Sequence, residues 1–347
     1  MQKIYALIFI LILFLVGCDS EGSTTNPPIA FEQLKSIEGL GRASGTSFVI
    51  ADTAYMTLGR RGEIYVDCSD TPGSALEGEL PEDQGTLPLE CWAYDAENDQ
   101  WTLKAPFPGE GRVYPVSGVI EGIAYVGLGY NYGCAYNDSA YLQDFWAYDP
   151  VVNSWSRRAD FPTRGSNHAV SFVYQNELYV VHAFGVISFN KAVWKYSPAS
   201  DQWIQLTDFP GYVRTSAVGC TDGNRIFAGT GYATWNENDW WEYLPAADRW
   251  ERKKDMPDQG RINAHSFAVD NRFFVANGRY LAGMHTGGEL KSDLLEYLPM
   301  QNKWKHRATL PGGARENAVN FILKGKIYIG FGENEQGPLD DLWSFEL

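Results

Sequence analysis

Short apolar runs alternate with turn residues along almost the whole chain, and no helical periodicity lasts beyond a turn or so. The clearest unit is Trp146-Ala-Tyr-Asp-Pro-Val-Val-Asn-Ser-Trp155. Trp146 and Tyr148 stand two apart, so on a strand they share a face. Asp149, Pro150 and Asn153 are turn formers, and Trp155 opens a second arm. The pattern predicts a β-hairpin with an aromatic on each arm. Its copies are Trp92 and Tyr94 with Trp101, Trp194 and Tyr196 with Trp203, Trp241 and Tyr243 with Trp250, and Leu295 and Tyr297 with Trp304. Each keeps the nine-residue step of Trp146 to Trp155. A sixth first arm, Trp343-Ser-Phe345, runs to the C-terminus without its partner.

A second register runs alongside. Arg42 to Tyr55, Arg112 to Tyr125, Arg214 to Phe227, Arg261 to Phe274 and Arg315 to Tyr328 each span thirteen residues. They predict an inner strand, a tight turn and a second strand ending in glycines, as in Val119-Ile-Glu-Gly-Ile-Ala-Tyr-Val-Gly-Leu-Gly129. The third unit breaks step, with Ser166 at the Arg place and Arg164 two residues early. A repeat of about fifty residues built from short strands implies an all-β propeller, here of six four-stranded blades over residues 29–347. Phe31 to Ile37 precedes Arg42 as Trp101 to Phe107 precedes Arg112. The N-terminal strand is therefore expected to complete the last blade and remove its free edge.

Upstream, Ile4 to Val16 is a near-continuous apolar run behind Lys3, too short to span a bilayer but suited to a signal-peptide core. It ends in Leu15-Val16-Gly17-Cys18, which resembles a bacterial lipobox. The resemblance implies diacylation of Cys18, with residues 1–17 as signal peptide, 18–28 as a polar tether, and a lipid-anchored place in the bacterial envelope.

Composition narrows the partners. Twelve Trp, 20 Tyr and 18 Phe supply ample core, and a net charge of −15 argues against nucleic acid or an anionic membrane surface. A monomer holding the membrane through its lipid alone is expected. Export permits disulfides. Cys68 and Cys91 bracket the long first-blade insertion and form the candidate pair, whereas Cys220 reads as a buried thiol. No spacing of Cys, His or acidic residues makes a zinc or calcium site, so neither metal nor cofactor is expected.

These features resemble the kelch family of β-propellers over nearly all of residues 29–347. Kelch blades typically carry a Gly-Gly pair after the second strand; here Gly127-Leu-Gly129, Gly229-Thr-Gly231 and Gly330-Phe-Gly332 stand in its place, and the third unit has only Gly185. Kelch-related galactose oxidases need a copper site of paired His and Tyr that nothing here matches. Exported kelch propellers resembling this one include a sialic-acid mutarotase branch, which interconverts anomers of N-acetylneuraminate. That resemblance implies Arg261, Arg214 or Arg315 gripping a carboxylate, with His265 or a loop carboxylate moving the anomeric proton.

Strand parity puts the second-to-third-strand loops and the Arg positions at one end of the ring. Those loops vary in length and bear Tyr130, Tyr132, Tyr136, Tyr141, Trp235, Tyr280 and His285. Arg42, Arg112, Arg214, Arg261 and Arg315 are the sharpest candidates, because guanidinium groups near the axis suit a carboxylate or sulfate. Pairing of each Arg with an acid or carbonyl of the adjacent blade is the structural alternative. His168 and His265 are expected at corresponding places in the third and fifth blades. Three functions follow: a binding module for an anionic glycan or a protein partner, the mutarotase just named, and an envelope scaffold.

Overall fold

The structure, a computed structural model, describes residues 28–37, 39, 41–64, 85–132, 140–163, 168–181, 191–282 and 288–347. The signal segment and Cys18 lie outside them, as do Cys68, Cys134, Tyr136 and His285. The described residues form six four-stranded antiparallel sheets. Blade two shows the order: Val116–Ile120, Ile123–Gly127, Phe145–Asp149 and Ser154–Arg158. The first strands of the other blades are Thr46–Ile50, Val170–Tyr174, Val218–Thr221, His265–Val269 and Val319–Leu323. These six strands touch in sequence around the axis, and the last touches the first. Short side chains suit that crowded position: Ser171 Oγ donates to the Ser117 carbonyl at 2.9 Å, and Ser47 Oγ to that of Asn320 at 2.8 Å.

The ring closes as the alignment of Phe31 with Trp101 requires. Phe31–Leu34 pairs antiparallel with Leu342–Phe345 as the outer strand of blade six. Each blade then latches onto its predecessor through the hairpin. Tyr148 lies opposite Trp155, and its hydroxyl donates to Asn153 Oδ1 at 2.8 Å in the left-handed turn. The same Asn153 oxygen accepts the Ala105 amide at 2.9 Å, while Trp155 Nε1 donates to the Ala105 carbonyl at 3.0 Å. Asp99 and Trp101 hold Lys35 in the same way, so the closing strand is stitched like any other. Between blades, Phe107 packs edge-on against Trp155, Phe161 against Trp203 and Phe209 against Trp250.

The glycines after the second strands make a second seam. Leu128 and Gly129 are both left-handed, as are Thr230 and Gly231. That double bend turns the Gly231 amide onto the Arg261 carbonyl of the next blade at 2.9 Å. A Cβ on Gly231 would stand 2.5 Å from the Thr215 carbonyl oxygen, at a φ of +93°. Gly231→Ala is expected to cost about 1–3 kcal/mol, seen as a lower melting temperature; an unchanged melt would mean this seam is dispensable.

Cys91 and Cys220 are buried free thiols, both pushed up to about 12 by burial. Cys91 opens the third strand of blade one with its side chain in the core, while its candidate partner Cys68 lies outside the described residues.

Candidate functional site

The five in-register arginines are among the most buried side chains of the chain, each 0–2% exposed. A charge survives there only if paired and fully hydrogen-bonded. Arg112 meets Asp144 in bidentate fashion at 2.6 and 2.9 Å, reaches the Leu128 carbonyl at 3.0 Å, and turns Nε to the Glu110 carbonyl. Arg214 with Asp239, Arg261 with Asp293 and Arg315 with Asp341 repeat the arrangement. Arg42 is the exception, holding Glu90 only at 3.5 Å, and burial pulls its guanidinium down to about 10. The acid comes from the same blade rather than the adjacent one, two residues before the first hairpin position, which is Trp except for Leu295 in blade five. Trp146 Nε1 donates to the same Asp144 at 2.7 Å, and Trp241 and Trp343 copy it on Asp239 and Asp341. Blade three has Ser166 at the Arg position and Ala192 at the acid position, so both partners are gone together. There Trp194 Nε1 has no hydrogen-bond partner among the described residues. The arginines clamp the two stems of each long loop.

What faces the axis lies two residues further along. Ser44, Tyr114, His168, Ser216, Asn263 and Asn317 are all left-handed and ring a cavity of about 150 Å³. Backbone bonds run from one to the next: the Asn317 amide to the Asn263 carbonyl, Ser44 to Asn317, and Tyr114 to Ser44. His168 belongs to this ring and stacks on Tyr114. It corresponds to Asn263, not to His265. The expected correspondence with His265 fails because His168 stands two residues past Ser166, as Asn263 stands two past Arg261. His265 instead opens the first strand of blade five, in the place of Val116, Val170, Val218 and Val319. It is 8% exposed, neither ring nitrogen has a hydrogen-bond partner among the described residues, and it lines neither the axial cavity nor the funnel above it. Burial, with Arg315 and Arg261 nearby, pushes its imidazole down to about 3.

Above the axial ring, on the loop face, a funnel of about 600 Å³ opens among Arg60, Arg279, Glu316, Glu333 and Glu335. From the sequence, Glu333-Asn-Glu335 reads as solvated loop charge, and nothing singles out Arg60, Arg279 or Glu316. Their signal is positional: the residue after the second glycine pairs with the residue after the Arg, as Ala43 with Arg60, Ile262 with Arg279, and Glu316 with Glu333. Tyr130 and Tyr232 hold the same place in blades two and four. Glu333 is 9% exposed and is held by Arg60 and by Asn317 Nδ2, the latter at 2.7 Å. Burial raises its carboxyl above the usual range despite Arg60. Arg279 reaches Glu316 at 2.7 Å and the exposed Glu335 at 2.8 Å. Tyr132 packs on Tyr130 near Arg60, its phenol pushed up to about 12 by burial. Trp235 and Tyr280 meet in a separate cleft between blades four and five. Among the described residues no three His, Cys, Asp or Glu side chains gather as metal ligands.

No family model matches the chain. The N-acetylneuraminate epimerases of Shigella flexneri serotype 5b (strain 8401) and Escherichia coli (strain K12) are each 28% identical over 149 residues, 42% of this chain and 33% of theirs. The match therefore spans about a third of the length of these curated relatives. The solved structure of YjhT has a TM-score of 0.68 at 20% identity, covering 88% of this chain and 94% of that one. The described residues form a six-bladed β-propeller, and over those 149 residues the chain is distantly similar to the N-acetylneuraminate epimerases. In this propeller the variable loops meet at the funnel, and the repeated arginines serve the frame beneath it.

Proposed function

We propose that the chain interconverts the anomers of a carboxylated sugar of the N-acetylneuraminate type, with the funnel as its site. The observation that carries the reading is Glu333, a buried carboxyl raised above its usual range beside Arg60 and within the same funnel as Arg279. Anomer exchange needs one proton taken from the anomeric hydroxyl and one given to the ring oxygen. The C–O ring bond breaks, the open keto form turns about its C–C bond, and the ring closes on the other face with the proton count unchanged. A carboxyl titrating nearer neutrality than usual is suited to that exchange. Arg279 suits the sugar carboxylate, because its partner Glu335 is 65% exposed and such a pair is readily displaced. The names of the distant relatives support the substrate class. Lipidation at Cys18 would place the activity at the bacterial envelope.

The test is anomer exchange of N-acetylneuraminate followed by NMR. The wild-type chain is expected to accelerate it over buffer. Glu333→Gln is expected to lower kcat by about 100-fold, and Arg279→Ala to act mainly by raising KM. No acceleration by the wild-type chain would end the enzymatic reading.

A binding module is the second reading, favoured by the ion pairing already present at both funnel arginines. It predicts that an anionic glycan raises the melting temperature while anomer exchange stays at the buffer rate.

A further inference from the structure

We infer that the cleft between the second-to-third-strand loops of blades four and five is a subsite for a neutral saccharide, separate from the charged funnel. It encloses about 310 Å³ among Tyr232, Thr234, Trp235, Asn236, Gln259 and Tyr280. None of the described residues lining it carries a charge, whereas the funnel is lined by Arg60, Arg279 and several glutamates. An ionic ligand would lose water here without gaining a counter-charge. A purely apolar ligand would strand the amide and hydroxyl groups of the wall. A pyranose suits both kinds of surface, with C–H groups for an aromatic face and hydroxyls for polar groups at the rim.

Trp235 offers that face. It is 74% exposed, the most exposed aromatic among the described residues, and packing leaves it unused. Thr234, Gln259 and the Tyr232 and Tyr280 hydroxyls are engaged by no side-chain hydrogen bond among the described residues, so their bonding capacity is available. The walls are already set. Asn236 Nδ2 donates to the Leu281 carbonyl at 2.7 Å, and its Oδ1 accepts the Leu281 amide at 3.2 Å, tying the blade-four loop to blade five. The Ala233 amide closes on the Trp235 carbonyl at 3.0 Å. Gly260 packs so tightly that a Cβ would stand 2.4 Å from the Glu237 carbonyl oxygen. A cleft built this way loses little freedom when a ligand enters.

Arg279 and Tyr280 are consecutive in the short strand Arg279–Tyr280, so their side chains leave by opposite faces. Arg279 enters the funnel and Tyr280 the cleft. The two sites therefore stand back to back on one ribbon and have distinct walls.

Saturation-transfer NMR and calorimetric titration of the full chain with methyl β-galactopyranoside, methyl β-glucopyranoside and lactose test the inference. At least one of these neutral probes is expected to bind with millimolar affinity. Trp235→Ala, at an exposed position, is expected to keep the wild-type melting temperature while weakening that probe by about tenfold. Glu333→Gln is expected to leave the neutral probe bound as before. Silence from all three probes overturns the inference. So does a Trp235→Ala protein that binds them as tightly as wild type, or a Glu333→Gln protein that loses them, which would place the sugar in the funnel. Lack of anomer exchange would touch only the funnel reading and leave this one standing.

Discussion

Arg112→Ala is expected to destabilise the propeller by about 3–5 kcal/mol, a fall of several degrees in melting temperature. The loss comes less from the contacts removed than from what stays behind. Asp144 is pushed up by burial, and Arg112 and Trp146 together hold it below the usual carboxylate range. Without the guanidinium, the half-buried Asp144 carboxylate, the Leu128 carbonyl and the Glu110 carbonyl lose their donor at once. Replacing both partners, as Arg112→Met with Asp144→Leu, is expected to recover most of the loss, because a buried ion pair is often dispensable once neither charge remains. Blade three has made such a substitution itself, with Ser166 and Ala192. Affinity for N-acetylneuraminate should be unchanged wherever the variant is folded. A melt identical to wild type would refute the clamp, and a selective loss of ligand would return the arginine to the site. Asp293 is likewise held below its usual range, with Arg261 outweighing burial. The stability these aspartates contribute is present above the usual carboxylate range and is lost as pH falls through their lowered values.

His265→Val is expected to stabilise the chain, and by more in acid than at neutral pH. In the folded protein the imidazole stays neutral down to about pH 3, against an ordinary value of 6.5. The unfolded chain therefore holds one more proton throughout that interval. Stability therefore drops by about 1.4 kcal/mol for each unit of acidification there. Valine removes this slope, so its advantage should reach about 2 kcal/mol at pH 5 and shrink toward pH 8. Valine also fills the position in four other blades, and it leaves no ring nitrogen buried without a partner. Thermal melts of both proteins across that pH range decide it. A gain that does not grow on acidification would mean that His265 is protonated or solvated in the fold. Loss of anomer exchange in His265→Val would instead restore the histidine as a catalytic residue.

Much of the frame was legible in the chain. The nine-residue step from Trp146 to Trp155 marks a hairpin because both aromatics must stand opposite each other across a short turn. Phe31 and Ile37 could be assigned to blade six because the pattern they complete is stated five times elsewhere. The acids of the clamp were legible too: Glu90, Asp144, Asp239, Asp293 and Asp341 each stand two residues before the first hairpin position, a Trp in four blades and Leu295 in the fifth. Pairing with an acid was expected, but across to the adjacent blade, whereas the partner lies in the same blade. Arg60, Arg279 and Glu333 were harder, since they recur by position and not by residue type.

The sequence by itself therefore determined the six blades, their latches and their closure, because these rest on neighbours at constant spacing within a repeat. Only the tertiary structure decided which charges are buried and which are open. Arg112 and Arg60 are chemically alike, but one lies within its own blade against Asp144, while the other reaches across the ring closure to Glu333. Closing the ring brings residues 60 and 333 together in the funnel that Arg279 also lines. No spacing along the chain carries that information, because the distance that matters is measured around the axis.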